Sequence, residues 1–385
     1  MFQVPRYLDW RQHVSRQLTR MLKTVCLAVC VLALACAPPA LSPSAPPTAT
    51  NASQASPAAP SDVSQAAAPP SVTAVPVPVK VGRAAVSASV GPLWIAQELG
   101  YFAKHGLAVE ETVMRSAGAV EAALLSNEIQ FGYTGLAAAL TARAGGGDVV
   151  LIATPMDRAL AELIVQPGIR QPSDLRGRTM GVQSLGGTIH VRGLLALQYL
   201  GLDPERDNIQ VIVVGDDPTL VQSVVAGAID AAPVSLSGAQ VARAQGMWGW
   251  DLSELGVPEI GLCVITTSTL LRDRPEVAER FVKSIAEAVH FIRQGRTDST
   301  TRDRARQIIA TRLKLAPEEV TPELDKFAEY VNPYLSARPE AIAQVHAVLA
   351  RLVPAVEQVP IDVVINRRVT EKLEREGFFA SLQRH

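Results

Sequence analysis

The chain has 385 residues, of which 48% are apolar and 5% aromatic, with a formal net charge of −1. That length is enough for two lobes rather than one small core. A mildly acidic chain of this kind lacks the electrostatic footprint of a nucleic-acid binder.

The first feature met along the chain is an export signal. Arg16, Arg20 and Lys23 precede an apolar run from about Thr24 to Ala35, and a basic flank before a short apolar core is the pattern of a secretory leader. The run is about 12 residues long, too short to span a hydrocarbon core of ~30 Å as a helix. Met21 offers a compact alternative start. The segment Val31-Leu-Ala-Leu-Ala-Cys36 resembles a bacterial lipobox, which implies removal of residues 1–35 and lipid attachment at Cys36. An ordinary signal cleaved nearby, or an uncleaved anchor, is the alternative. Each version places the protein outside the cytoplasm, and the lipobox version tethers it to the bacterial membrane through lipid. Loss of Arg6, Arg11, Arg16, Arg20 and Lys23 together with Asp9 would take the net charge from −1 to −5.

Residues 36–78 are almost wholly Ala, Pro, Ser, Thr and Val, with Asp62 as the one charge. Such a segment buries too little apolar surface to offset the entropy of ordering, so a disordered tether is expected. Its extended limit is about 130 Å at ~3.1 Å per residue. Cys26 and Cys30 fall in the leader, which leaves Cys263 without a disulfide partner once Cys36 is lipidated. Its apolar setting, Gly261-Leu-Cys-Val-Ile265, predicts a small buried hydrophobe.

From Lys80 onward, apolar runs predict strands at 80–84, 108–113, 129–133, 149–153, 161–166, 179–183, 209–214, 230–234 and 261–267. Helical patterns at 92–105, 117–125, 188–200 and 219–226 alternate with them. This alternation predicts an α/β fold with mostly parallel sheets flanked by helices. Beyond 267 the pattern is helical. Asp273-Arg-Pro-Glu276 reads as a helix start with an Asp cap and an early Pro. Further helices are expected at 301–313, 317–331, 339–352 and 367–375.

Four segments carry a resemblance to a known family. They are Pro92 to Glu110 (PLWIAQELGYFAKHGLAVE), Glu121 to Gly135 (EAALLSNEIQFGYTG), Ser173 to Val182 (SDLRGRTMGV) and Val225 to Ala231 (VAGAIDA). In this order they resemble the periplasmic solute-binding proteins of ABC importers, within the group that binds sulfonates, taurine, nitrate and thiamine-pyrimidine precursors. Asn127-Glu-Ile-Gln130 and Arg83 depart from the family pattern, so no member's ligand transfers directly. The resemblance implies a two-lobed, type II periplasmic-binding-protein fold with a helical C-terminal region. Lobe 1 is expected to comprise 79–161 and 262–385, and lobe 2 162–261, with the C-terminal helices packed mainly on lobe 1. It also implies an ABC permease and its ATPase as partners, and a monomer.

Ligands of open α/β sheets bind beyond the carboxyl ends of the strands, which selects four loops. Ser87 and Ser89 lie in the first, as ligand groups or as helix caps. Thr134 and Gly135 form the second, where Tyr133 either stacks on a ligand or packs in the core. Ser184, Gly186, Gly187 and Thr188 form the third, where glycines and a helix N-terminus would suit a sulfonate or carboxylate, or make a turn and a cap. Ser235 and Ser237 form the fourth, again as ligand donors or caps. Arg83 and Arg158 could neutralise an anion or face solvent, and Trp94 could look into the cleft or pack. The expected function is capture of a small, anionic organic solute in the interlobe cleft for import, with no catalytic residue, metal or cofactor. The alternatives are a ligand-binding module of a sensor and an enzyme like the family's pyrimidine-precursor synthase. The six histidines are scattered, without metal-ligand spacing.

Overall fold

The computed structural model describes residues 75–384. The leader, Cys36 and the tether lie outside the described residues. The strands in chain order are β1 (Val77–Arg83), β2 (Leu107–Val113), β3 (Phe131–Thr134), β4 (Val149–Ala153), β5 (Ala161–Val165), β6 (Thr179–Val182), β7 (Gln210–Val213), β8 (Ala231–Ser235), β9 (Trp248–Asp251) and β10 (Cys263–Thr267). They build two mixed sheets, ordered β2-β1-β3-β10-β4 and β7-β6-β8-β5-β9. In the first, β1 runs parallel to β2 and β3, whereas β10 is antiparallel to both β3 and β4. The second repeats the scheme, with β6 parallel to β7 and β8, and β5 antiparallel to β8 and β9. Strands β4, β5 and β8 are buried at every position, which explains why they are apolar apart from Glu162 and Ser235: helices cover both faces.

Each strand expected from the pattern is present, with ends shifted by three residues or fewer. Strand β9 was not anticipated. Its Trp-Gly-Trp-Asp sequence has no aliphatic run, and it forms as an edge beside β5, where the Trp248 and Trp250 rings pack 4.7 Å apart between centroids with their planes tilted by 59°. The single helix expected at 92–105 is two, Gly91–Glu98 and Tyr101–Lys104, because Gly100 at φ +71° ends the first. Asp273 is not a cap. Thr267 already caps a short helix, Ser268–Asp273, by accepting from Leu270 N, so Asp273 ends that helix and pairs with Arg272. Arg274 takes the cap position of Pro275–Gln294.

The chain crosses from the first sheet to the second between β4 and β5, and returns between β9 and β10. The two crossings run side by side: Ala159 N donates to Val257 O at 3.1 Å and Glu259 N to Asp157 O at 3.3 Å. The C-terminal helices do not pack on the first lobe alone. Pro275–Gln294 does, with Phe281 stacked on Phe131 at 4.1 Å and 15°. Pro317–Tyr330, however, also packs on Leu236–Ala244 of the second sheet's layer, and Pro339–Leu352 packs on both Leu136–Ala144 and Thr188–Tyr199. Their apolar stripes face two neighbours, so burial is complete only when both sheets are in place. No helix among the described residues is long and apolar enough to cross a membrane.

Phe281 and Phe131 are fully buried, so Phe281→Ala should cost about 3–5 kcal/mol. Urea unfolding of the variant checks this, and a loss under 1 kcal/mol would contradict the packing described.

Candidate functional site

The four loops selected by the strand-end rule meet at one cavity of about 200 Å³ between the two sheets. Its walls are the carboxyl ends of β1, β3, β6, β7 and β8 together with the two crossings. Ser87 and Ser89 follow β1, and Tyr133 and Thr134 end β3. Ser184, Gly187 and Thr188 follow β6, and Ser235 ends β8. Arg158 lines the cavity from the first crossing.

Five expected residues stand elsewhere. Arg83 pairs with Glu111 and lies 5.1 Å from the Trp94 ring, while Trp94 Nε1 donates to the same carboxylate at 3.2 Å. Both side chains are therefore engaged with β2 and away from the cavity lining. Gly135 is packed too closely to offer a surface: a Cβ there would lie 2.2 Å from Thr188 Oγ1 and 3.1 Å from Gly261 O. Gly186 turns the loop at φ +74°, and its amide is already spent on His190 Nδ1 at 2.9 Å. Burial lowers the His190 pKa, in keeping with a neutral ring that accepts this bond. Ser237 donates to Glu323 Oε2 at 2.8 Å.

Of the capping readings, Ser235 fits one: its Oγ accepts from Gly238 N at 3.0 Å. Ser87 precedes a short 3-10 turn and makes no side-chain cap.

Several site residues were not anticipated. Gln183, Arg192, Asp216, Asp217, Glu259 and Phe327 also line the cavity. Arg192 and Glu259 form a bidentate pair with both N–O distances 2.7 Å. Asp217 accepts from Ser235 N at 2.7 Å and Ser235 Oγ at 2.8 Å. Asp216 caps the helix Asp217–Val225. Asp216-Asp217 follows a predicted strand, so the rule that chose the other four loops applied equally to this one.

Glu323 stands just behind the cavity and is fully buried. Its Oε1 accepts from Ser89 N at 2.9 Å and Ser89 Oγ at 2.7 Å, and its Oε2 from Ser237. Ser237 Oγ in turn lies 3.3 Å from Ser235 Oγ. A run of polar contacts thus extends from Ser89 beside the first sheet, through Glu323 to Ser237, and across the two serine oxygens to Ser235 and Asp217 beside the second. Burial chiefly raises the pKa values of both Glu323 and Asp217; the serine hydrogen bonds pull the other way. A sequence signal existed: Val320, Glu323, Leu324 and Phe327 share one helical stripe, and the other three are buried apolar residues.

Cys263 is buried, as its apolar setting predicted, and its thiol donates to Thr134 O at 2.9 Å. Desolvation pushes its pKa upward, so it stays a thiol.

Two mixed sheets joined by paired crossings, with a cavity at the strand ends, define the periplasmic-binding-protein class of fold. The chain belongs to the NMT1/THI5-like family, whose model matches residues 87–295. A Brucella abortus protein named "Putative binding protein" is 30% identical over 204 residues, covering 51% of this chain and 61% of that one. The periplasmic aliphatic sulphonate binding protein of Escherichia coli superposes with TM-score 0.58 at 18% identity, over 76% of this chain and 92% of its own. The periplasmic nitrate-binding protein of Synechocystis gives 0.61 at 16%, over 78% and 89%. A desulfurization enzyme also shares the fold, at 0.55 and 17%, over 78% and 99%. At these identities the solved structures establish the fold alone.

Glu323→Ala should cost about 2–3 kcal/mol by leaving the Ser89 and Ser237 donors unpaired in a buried place, and Glu323→Gln less. Because the folded pKa is raised, the protonated carboxyl's stabilisation is present below the ordinary carboxylate range and is lost as pH rises through the raised value. Glu323→Gln cannot ionise. Thermal melts of both proteins across that range should therefore show the wild type losing stability relative to the Gln variant as pH rises; parallel curves would contradict this.

Proposed function

We propose that the protein is an extracytoplasmic solute-binding receptor of an ABC importer, with lobe 1 at 79–161 and 262–385 and lobe 2 at 162–261. The observation that carries this reading is the cavity of about 200 Å³ at the strand ends of both sheets, sized for a small organic molecule. Family membership and the periplasmic binders that share the fold support it. The leader and lipobox at Cys36 support a membrane-tethered form, in which the tether would give the lobes room to dock on the permease.

Binding without turnover is the better account of the site. The thiol of Cys263 is held protonated and bonded to a carbonyl, and Arg192 is paired with Glu259. The expected anionic class of solute has weaker support than the receptor role. Two guanidinium groups, Arg158 and Arg192, line the cavity against three carboxyl groups, Asp216, Asp217 and Glu259.

A cognate solute binds only the folded protein and should stabilise it by about 2.7 kcal/mol at a concentration a hundredfold above Kd. The test is a thermal-shift screen of small solutes, followed by recovery of the bound compound. The compound should return chemically unchanged; a product in its place would make the protein an enzyme. For the anchor, Cys36→Ala should move the protein from the membrane to the soluble fraction, and continued membrane retention would rule lipid attachment out.

A further inference from the structure

The charge lining the cavity suggests the chemistry of what it holds, on the premise that the cavity is the receptor's binding site. Of the two cationic side chains, one is paired with a carboxylate and the other packs on an aromatic ring. Arg192 has both faces of its fork on Glu259. The Arg158 guanidinium lies 4.4 Å from the Tyr330 ring and donates to Ser253 O. The carboxylate side is in surplus. Among the described residues Asp217 takes its hydrogen bonds from Ser235 alone, while the Arg192 charge that also favours its ionised form is committed to Glu259.

A second observation is independent of these acids. The hydroxyl of Tyr133 is fully buried in the cavity wall, and among the described residues it has no hydrogen-bond partner. A buried, unpaired phenol costs stability unless a bound molecule completes it. A simple sulfonate or carboxylate would add negative charge beside Asp217, where the Arg192 guanidinium is already held by Glu259. A protonated amine reverses each difficulty: it offers N–H donors to Asp217 and to the Tyr133 oxygen and offsets the surplus charge.

We infer that the solute carries a protonated amine, or an amidine-like cation, recognised by the Asp217 carboxylate and the unpartnered Tyr133 hydroxyl. An acceptor group elsewhere on the same molecule would still find the amides at the start of the helix Thr188–Tyr199.

The test uses a matched series of one-ring and short-chain compounds, each as amine, alcohol, carboxylate and sulfonate. Thermal shift and calorimetry are run on wild type, Asp217→Asn and Tyr133→Phe. The result expected is stabilisation confined to the amines. Affinity should fall more than tenfold in Asp217→Asn and about fivefold in Tyr133→Phe, with the unliganded melting temperature of Tyr133→Phe unchanged or raised. That second variant removes a hydroxyl without a partner, so it keeps the test valid if Asp217→Asn fails to fold. Stabilisation by the sulfonates or carboxylates alone would overturn the amine assignment and leave the receptor standing. So would release, from the denatured protein, of a solute without a basic nitrogen. If no compound binds and no solute is released, the receptor reading of the cavity falls with it.

Discussion

The arrangement of this protein depends on one buried carboxyl group. Glu323 sits on a C-terminal helix, yet it accepts hydrogen bonds from Ser89 beside the first sheet and from Ser237 beside the second. A carboxyl removed from water is costly unless its oxygens are satisfied, and here the two lobes each satisfy one of them. The helix Pro317–Tyr330 can therefore take its place only when both loops are present. The backbone pairs between the two crossings and the Arg338–Asp157 contact at 2.6 Å reinforce the same junction. In this fold the C-terminal helices are a third connection between the sheets, next to the two chain crossings.

That connection also shapes the cavity. The serines that looked free to meet a ligand are partly spent on structure: Ser237 belongs to Glu323, and Ser235 is shared between a helix cap and Asp217. Satisfying Glu323 brings a second carboxyl close to Asp217, and burial then raises the proton affinity of both. The placing of these two carboxyl groups is thus a consequence of how the lobes are tied together.

Much of the fold was legible in the residue pattern. Fully buried strands such as β4 announce themselves as unbroken aliphatic runs, and the helices as stripes at 3.6-residue spacing. Strand β9 escaped because its residues form a strand only by pairing with β5. The Asp273 cap failed because Thr267 caps an earlier turn, a competition that local sequence does not rank. Within the site, the four loops chosen by the strand-end rule line one cavity. The rule missed Asp217, which follows β7 in the same manner, and it could not foresee that Glu111 would draw Arg83 and Trp94 aside.

The sequence by itself determined the α/β class, the order of strands and helices, the family, and the loops that would face a cleft. These depend on periodicity, strand-end geometry and motif order, which are local or nearly so. Only the tertiary structure decided which polar groups remain available. The bond from Ser89 to Glu323 spans 234 residues and that from Arg192 to Glu259 spans 67. Pairings at such separations are selected by the packing of whole layers, because each buried charge must find a partner among whatever the fold brings within reach. For the same reason the balance of charge in the cavity could not be read from the loops one at a time.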